Sequence, residues 1–186
     1  MSKSKNKDPL ENKVKKNTKL ITLDLQQFYD GAEIKELDIK DFLYEELLLK
    51  EKDYREYLEN HDWSQYQDAY LAVYCSTDAI LAHWAFMLVA QHAAPYARDV
   101  IVGGRDDAYH ELFRKKLVEH DWSQYQDKNV ILKGCSEVTV PESAYVLATN
   151  YLIPYAGKIM YGEACSSVPV YKRPKQKNKT TSKTTA

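Results

Sequence analysis

One octapeptide, present twice, does most to limit what this chain can fold into. HDWSQYQD stands at His61–Asp68 and again at His120–Asp127, an offset of 59 residues. Pro95-Tyr96-Ala97 recurs as Pro154-Tyr155-Ala156 at the same offset, Ala85-Phe86 matches Ala144-Tyr145, and Leu88 matches Leu147. Cys75 matches Cys135 with a shift of one residue. Identity of this length implies two structurally equivalent segments. Each copy reads as turn, strand, Cys-Ser, helix, Pro-Tyr-Ala, strand. Two copies are too few for a solenoid, so the expectation is a duplicated βαβ unit inside one domain.

Period and punctuation fill in the elements. Leu20–Phe28 alternates at Ile21, Leu23 and Leu25 and predicts a strand, with Asp30-Gly31 as a turn. Residues 38–47 and 50–60 read as helices. Residues 70–75 form an apolar run too short for a helix. The spacing then predicts a helix over 78–94 capped by Ser76 or Thr77, a strand over 99–102 and a helix over 106–119. A strand over 129–133 follows. Thr139-Val140-Pro141-Glu142 opens a helix running to Ile153, and short strands at 158–161 and 168–171 flank Cys165. The resulting fold class is α/β: a mostly parallel sheet flanked by helices, built from a duplicated βαβ unit preceded by an N-terminal strand and two helices. The commonest doubly wound order sets the strand at Tyr70 beside that at Asn129, and the latter beside that at Lys158.

The chain has three cysteines, each followed by serine: Cys75-Ser76, Cys135-Ser136 and Cys165-Ser166. In that strand order the thiols gather near one edge of one sheet, where open parallel sheets bind ligands. Cys75 and Cys135 also precede helix N-termini, whose partial positive charge favours thiolate. Outer strands of three start about 10 Å apart, so zinc would need inward-bending loops, whereas an iron–sulfur cluster tolerates the spread. Glu163 is the nearest fourth ligand in sequence, with Asp78, His83 and Glu137 as further options. No C-x-x-C pair is present. The bland alternative is that each cysteine is a small buried hydrophobe.

Charge is segregated. Residues 1–19 carry +5 and residues 172–186 carry +6, which leaves −12 on residues 20–171 of a chain whose net charge is −1. The expected organisation is therefore a disordered basic tail (1–19), a single α/β domain (20–171) and a second disordered basic tail (172–186). An acidic domain argues against a nucleic-acid groove. No apolar stretch reaches the length of a transmembrane helix, and the lysine-rich N-terminus lacks a signal-peptide core, so a cytoplasmic location is expected. An odd cysteine count argues against a disulfide framework.

Other residues fit weaker patterns. His61–Asp62 and His120–Asp121 could pair as acid and base, but each copy sits where a helix ends and a strand begins, so Trp63 and Trp122 are expected to pack inward while polar neighbours close the turn. Gly103-Gly104-Arg105 after a strand could cradle phosphate, though it matches no phosphate-loop or dinucleotide fingerprint. No G-x-S-x-G elbow occurs.

His61–Gln67, Cys75-Ser76 with Asp78-Ala79 and Trp84, Lys133-Gly134-Cys135 and Ile159–Arg173 (IMYGEACSSVPVYKR) together resemble the bacterial domain of unknown function 2480 family, over about Leu20 to Arg173. The resemblance implies a single cytoplasmic domain with no assigned activity. It also implies an accessory role beside sulfur mobilisation and iron–sulfur assembly proteins, with Cys75, Cys135 and Cys165 as the matching thiols. Three readings follow: a three-cysteine zinc, iron–sulfur or sulfur-carrying site at Cys75, Cys135, Cys165 and Glu163; an enzyme with a cysteine nucleophile; or a structural adaptor with buried inert cysteines.

Overall fold

The computed structural model describes residues 19–134 and 139–174. Among them lie seven strands and four α-helices. The strands are β1 (Leu20–Asp24), β2 (Ile34–Asp38), β3 (Tyr70–Tyr74), β4 (Asp99–Val102), β5 (Asn129–Lys133), β6 (Lys158–Glu163) and β7 (Ser166–Lys172). The helices are α1 (Glu51–Asn60), α2 (His83–Ala93), α3 (Arg105–Glu119) and α4 (Glu142–Leu152). The chain is α/β and its sheets are mostly parallel. The expected tails over 1–18 and 175–186 lie outside the described residues.

Two compact units are formed. Among the described residues, unit 1 comprises 19–26, 121–134, 139–140 and 145–174, and unit 2 comprises Gln27–His120 with Pro141–Ala144. Unit 1 holds a sheet in the order β1-β5-β6-β7, parallel except for β7, which runs antiparallel to β6. Unit 2 holds the all-parallel sheet β2-β3-β4.

The duplicated βαβ unit is present as β3-α2-β4 and β5-α4-β6. The expected neighbourhood of β3 and β5 is not. Each copy recruits its own additional strand from the N-terminal region: β1 pairs with β5, and β2 with β3. One sheet is thereby replaced by two.

The N-terminal strands are themselves related. Leu23-Asp24-Leu25 with Phe28 and Leu37-Asp38-Ile39 with Phe42 share one spacing. In both, the aspartate ends the strand and folds the chain into one turn of 3₁₀ helix. Asp24 Oδ1 accepts from the Gln26 N–H at 3.1 Å, and Asp38 Oδ1 from the Lys40 N–H at 2.9 Å. Such Asx turns satisfy the donors a helix start leaves bare. They explain why the expected strand stops at Asp24 and why the expected helix over 38–47 is a single 3₁₀ turn, Ile39–Phe42. The helix expected from Asp78 begins at His83. Its proposed caps are used otherwise: the Ser76 N–H donates to Asp38 at 3.0 Å, and the Thr77 hydroxyl bonds Cys75 Sγ and the Ala79 N–H.

In unit 2 the pleat of β3 separates two buried layers. Leu71 and Val73 face α1 and α2 and pack with Leu37, Tyr54, Leu58, Ala85 and Val89. Tyr70 and Ala72 face α3 and pack with Ile34, Ile101, Ala108 and Leu112. Helices on both faces bury Tyr70, Leu71, Ala72 and Val73 of β3, as a central parallel strand requires. Unit 1 buries Leu23, Val130, Ile131, Leu132, Ile159 and Met160 from its strands.

The octapeptide builds the same turn twice. In unit 2, Asp62 caps the 3₁₀ turn Trp63–Tyr66 through the Ser64 N–H, Trp63 is buried and donates from Nε1 to the Leu58 carbonyl at 2.7 Å, and its ring stacks on His92 at 5.5 Å. In unit 1, Asp121 caps Trp122–Tyr125 through the Ser123 N–H, and the buried Trp122 stacks on Tyr151 at 5.5 Å. Each octapeptide ends on an aspartate in the left-handed region, Asp68 at φ 59° and Asp127 at φ 57°. Each of these aspartates donates its N–H to a tyrosine of the Pro-Tyr-Ala turn, Tyr96 at 3.0 Å and Tyr155 at 2.9 Å.

Candidate interaction surface

The two described cysteines, Cys75 and Cys165, do not come together. Cys75 lies in unit 2 just past β3, half-buried, with Sγ 3.3 Å from Thr77 Oγ1. Cys165 lies exposed in the β6–β7 turn of unit 1. Cys135, like Glu137, falls outside the described residues. Glu163, the expected fourth ligand, accepts from Lys133 Nζ at 3.3 Å. Among the described residues no group of three or more His, Cys, Asp or Glu side chains could hold a metal ion. The three-cysteine zinc or iron–sulfur site, and the accessory role in cluster assembly built on it, are therefore corrected. The reason is topological: the expectation needed β3 and β5 as neighbours in one sheet, and they lie in different sheets. The exposure of Cys165 also removes the picture of three buried inert cysteines.

The carboxyl ends of unit 2's strands are knitted shut by the protein's own groups. Asp38 takes the Lys40 and Ser76 N–H groups. Burial opposes its ionisation, but these hydrogen bonds outweigh burial and hold its carboxyl below the usual range. At the start of α3 the Arg105 N–H and Nε both donate to Glu36, at 3.2 and 3.3 Å, and the Gly104 N–H donates to Asp107 at 3.0 Å. Gly103 N–H goes to the Val73 carbonyl at 2.8 Å. The donors a phosphate would need at Gly103-Gly104-Arg105 are thus taken by carboxylates and a carbonyl.

His61 serves the turn. Its Nε2 lies 3.1 Å from the Tyr66 hydroxyl, while Asp62 is held by Ser64. Burial lowers the His61 pKa, against a smaller opposing effect of Asp62. Burial also raises Tyr66 to about 12, with Tyr57 and Asp62 adding to it.

The feature sequence reading missed is a small hairpin on unit 2. After the 3₁₀ turn at Phe42 the chain turns extended at Leu43 and then doubles back. Tyr44 N–H donates to the Leu48 carbonyl at 2.9 Å, and Leu48 N–H donates to the Tyr44 carbonyl at 3.1 Å. Three residues lie between the bridged Tyr44 and Leu48, and two of them, Glu45 at φ 51° and Glu46 at φ 58°, occupy the left-handed region. Left-handed positions in a turn normally take Gly, Asn or Asp. Two non-glycine residues there cost on the order of 1 kcal/mol each. Lys50 Nζ, 3.2 Å from the Tyr44 ring centroid, and the Lys40–Glu46 ion pair at 3.4 Å hold the turn.

This strained turn holds apolar side chains in solvent. Tyr44 is 51% exposed, Leu48 58% and Leu47 70%. Beside it a cleft of about 230 Å³ is lined by Asp41, Phe42, Leu43, Tyr44, Lys50, Asp53 and Tyr57, with the Phe42 and Tyr57 rings 4.2 Å apart. The surroundings are acidic, since residues 30–62 hold twelve carboxylates against five lysines and arginines. Sequence reading placed residues 38–47 in a helix because Ile39, Phe42 and Leu43 keep helical spacing and no Gly or Asn marks the turn. Three consecutive leucines at 47–49 were the signal available.

Compared with known families, the chain matches the family described as protein of unknown function (DUF2480) over residues 8–173, and it belongs to that family. No curated protein and no solved structure matches it.

Proposed function

We propose that this chain is a protein-binding module whose recognition element is the Tyr44–Leu48 hairpin, and that its partner is a cationic segment bearing apolar side chains. One observation carries the reading: Leu47 and Leu48 stand side by side in solvent on a turn held in a costly backbone conformation. Single exposed leucines are ordinary. Contiguous ones on a strained hairpin, beside an aromatic-lined cleft, fit a docking feature. The acidic rim supplies attraction for lysine and arginine and makes association sensitive to salt. The same charge works against nucleic-acid backbones. No helix among the described residues is long and apolar enough to cross a membrane.

The test uses an amphipathic peptide of alternating lysine and leucine pairs, titrated into the full chain by calorimetry. The expected result is saturable binding that weakens with salt and falls at least tenfold in Leu47→Ser/Leu48→Ser. The double variant should keep its folding stability within about 0.5 kcal/mol, because both side chains are already solvated. Equal binding by the variant, or none by the wild type, would overturn the reading.

A further inference from the structure

We infer that unit 2 carries a second receptor for an arginine-bearing β-strand, built like the one that seats β7 in unit 1 and addressed to an extended segment of a partner protein. This rests on the repeat and is independent of the hairpin.

In unit 1, Arg173 follows the last residue of β7 and fastens it. Its backbone N–H donates to the Gly157 carbonyl at 2.9 Å. Its guanidinium donates to the Asp127 carboxylate and to the carbonyls of Pro154 and Tyr155. The receptor is thus an octapeptide aspartate, two carbonyls of the Pro-Tyr-Ala turn and the outer edge of β6.

Each part has a counterpart 59 residues earlier, in the same backbone conformation. Asp68 matches Asp127 in its left-handed φ and in its N–H bond to the Pro-Tyr-Ala turn. The Arg98 N–H reaches the Ala69 carbonyl at 2.8 Å, just as the Gly157 N–H reaches Lys128 at 2.8 Å. Gly103, at φ 126°, ends β4 as Gly162, at φ 115°, bends β6. β4 pairs with β3 alone, so its other edge is an outer edge of the sheet. Asp68, Pro95 and Tyr96 are exposed, and no described residue engages the Asp68 carboxylate.

Charge specifies the occupant. A carboxylate beside two carbonyls converging on one point suits a planar guanidinium better than an ammonium. β4 also begins with Asp99, held by Lys115, where β6 has Lys158 opposite Lys172. A lysine one residue before the arginine meets the Asp99–Lys115 ion pair in unit 2, where in unit 1 it meets the like charge of Lys158. The segment sought is an antiparallel strand ending Lys-Arg, added by main-chain pairing with the arginine as its clamp.

The probe is the blocked peptide Ser-Ser-Val-Pro-Val-Tyr-Lys-Arg, the sequence of Ser166–Arg173, titrated into ¹⁵N-labelled full chain. The expected amide shifts centre on Asp68–Ala69 and Tyr96–Val102. Affinity should fall at least tenfold when the peptide arginine becomes glutamine, and again in Asp68→Asn. The Leu47→Ser/Leu48→Ser chain should bind this peptide normally, which separates failure here from failure of the hairpin reading. Shifts confined to residues 158–163, unchanged affinity in Asp68→Asn, no binding, or concentration-dependent self-association through β4 without peptide would each overturn the proposal.

Discussion

Units 1 and 2 share a frame and differ at its margins. Both place a 3₁₀ turn with a buried tryptophan ahead of the central strand, cross over by one helix, and close with the same tyrosine carbonyl accepting from a left-handed aspartate. Unit 1 then adds β7, locked by Arg173. Unit 2 leaves β4 as an edge and extends its 3₁₀ turn at Phe42 into the exposed hairpin. The repeated residues therefore account for architecture, and recognition is to be sought in what the repeat does not share.

The comparison breaks most visibly at the tryptophans. Trp63→Ala and Trp122→Ala should each cost about 3–5 kcal/mol, measured by urea unfolding, because each removes a buried stacked ring. A cost below about 1 kcal/mol at either site would mean the two turns are not equivalent. The paired glycines come next. A Cβ at Gly103 would lie 2.5 Å from Asp107 Cβ, and one at Gly162 would lie 2.8 Å from the Ser166 carbonyl oxygen, both at positive φ. Alanine at either position should destabilise by about 1–3 kcal/mol.

A pH series sharpens the account of unit 2. Burial opposes ionisation of Asp30 as well, but the Ala32 N–H, the Tyr70 hydroxyl and Arg98 outweigh it and keep its carboxyl low. Asp30 and Asp38 thus both have folded pKa values below their unfolded values of about 3.9. Their stabilisation is fully present above that value and is lost as pH falls through the depressed folded values. Unfolding measured from pH 6 downward should show a shallower acid loss in Asp30→Asn and Asp38→Asn than in the wild type. An unchanged slope in both would remove these carboxylates from the account. The smallest effect is at the hairpin: Glu45→Asn/Glu46→Gly should stabilise by about 1 kcal/mol or less by suiting the left-handed positions, and a loss of stability would argue against that backbone conformation.

The repeat made the βαβ copies, β4 and the 3₁₀–tryptophan turns legible, since each rests on local pattern. Pairing between sheets was not legible. Leu23-Asp24-Leu25 and Leu37-Asp38-Ile39 are too short to stand out as a second repeat, yet they decide which strand each copy recruits. Ile34 and Leu37, three apart, do not announce a strand, because partners on both faces of the sheet supply what alternation normally signals. The cysteines drew attention through their shared serines. Ser76 spends its N–H on Asp38, a contact 38 residues distant that no spacing rule contains. The hairpin was hidden because glutamates occupy positions that turn chemistry assigns to Asn and Gly.

Hydrogen–deuterium exchange of the full chain, with and without the lysine–leucine peptide, tests most directly whether recognition belongs to unit 2. Slowed exchange confined to residues 41–57 is the predicted result. Protection spread over 158–173, or no change anywhere at saturating peptide, would contradict it.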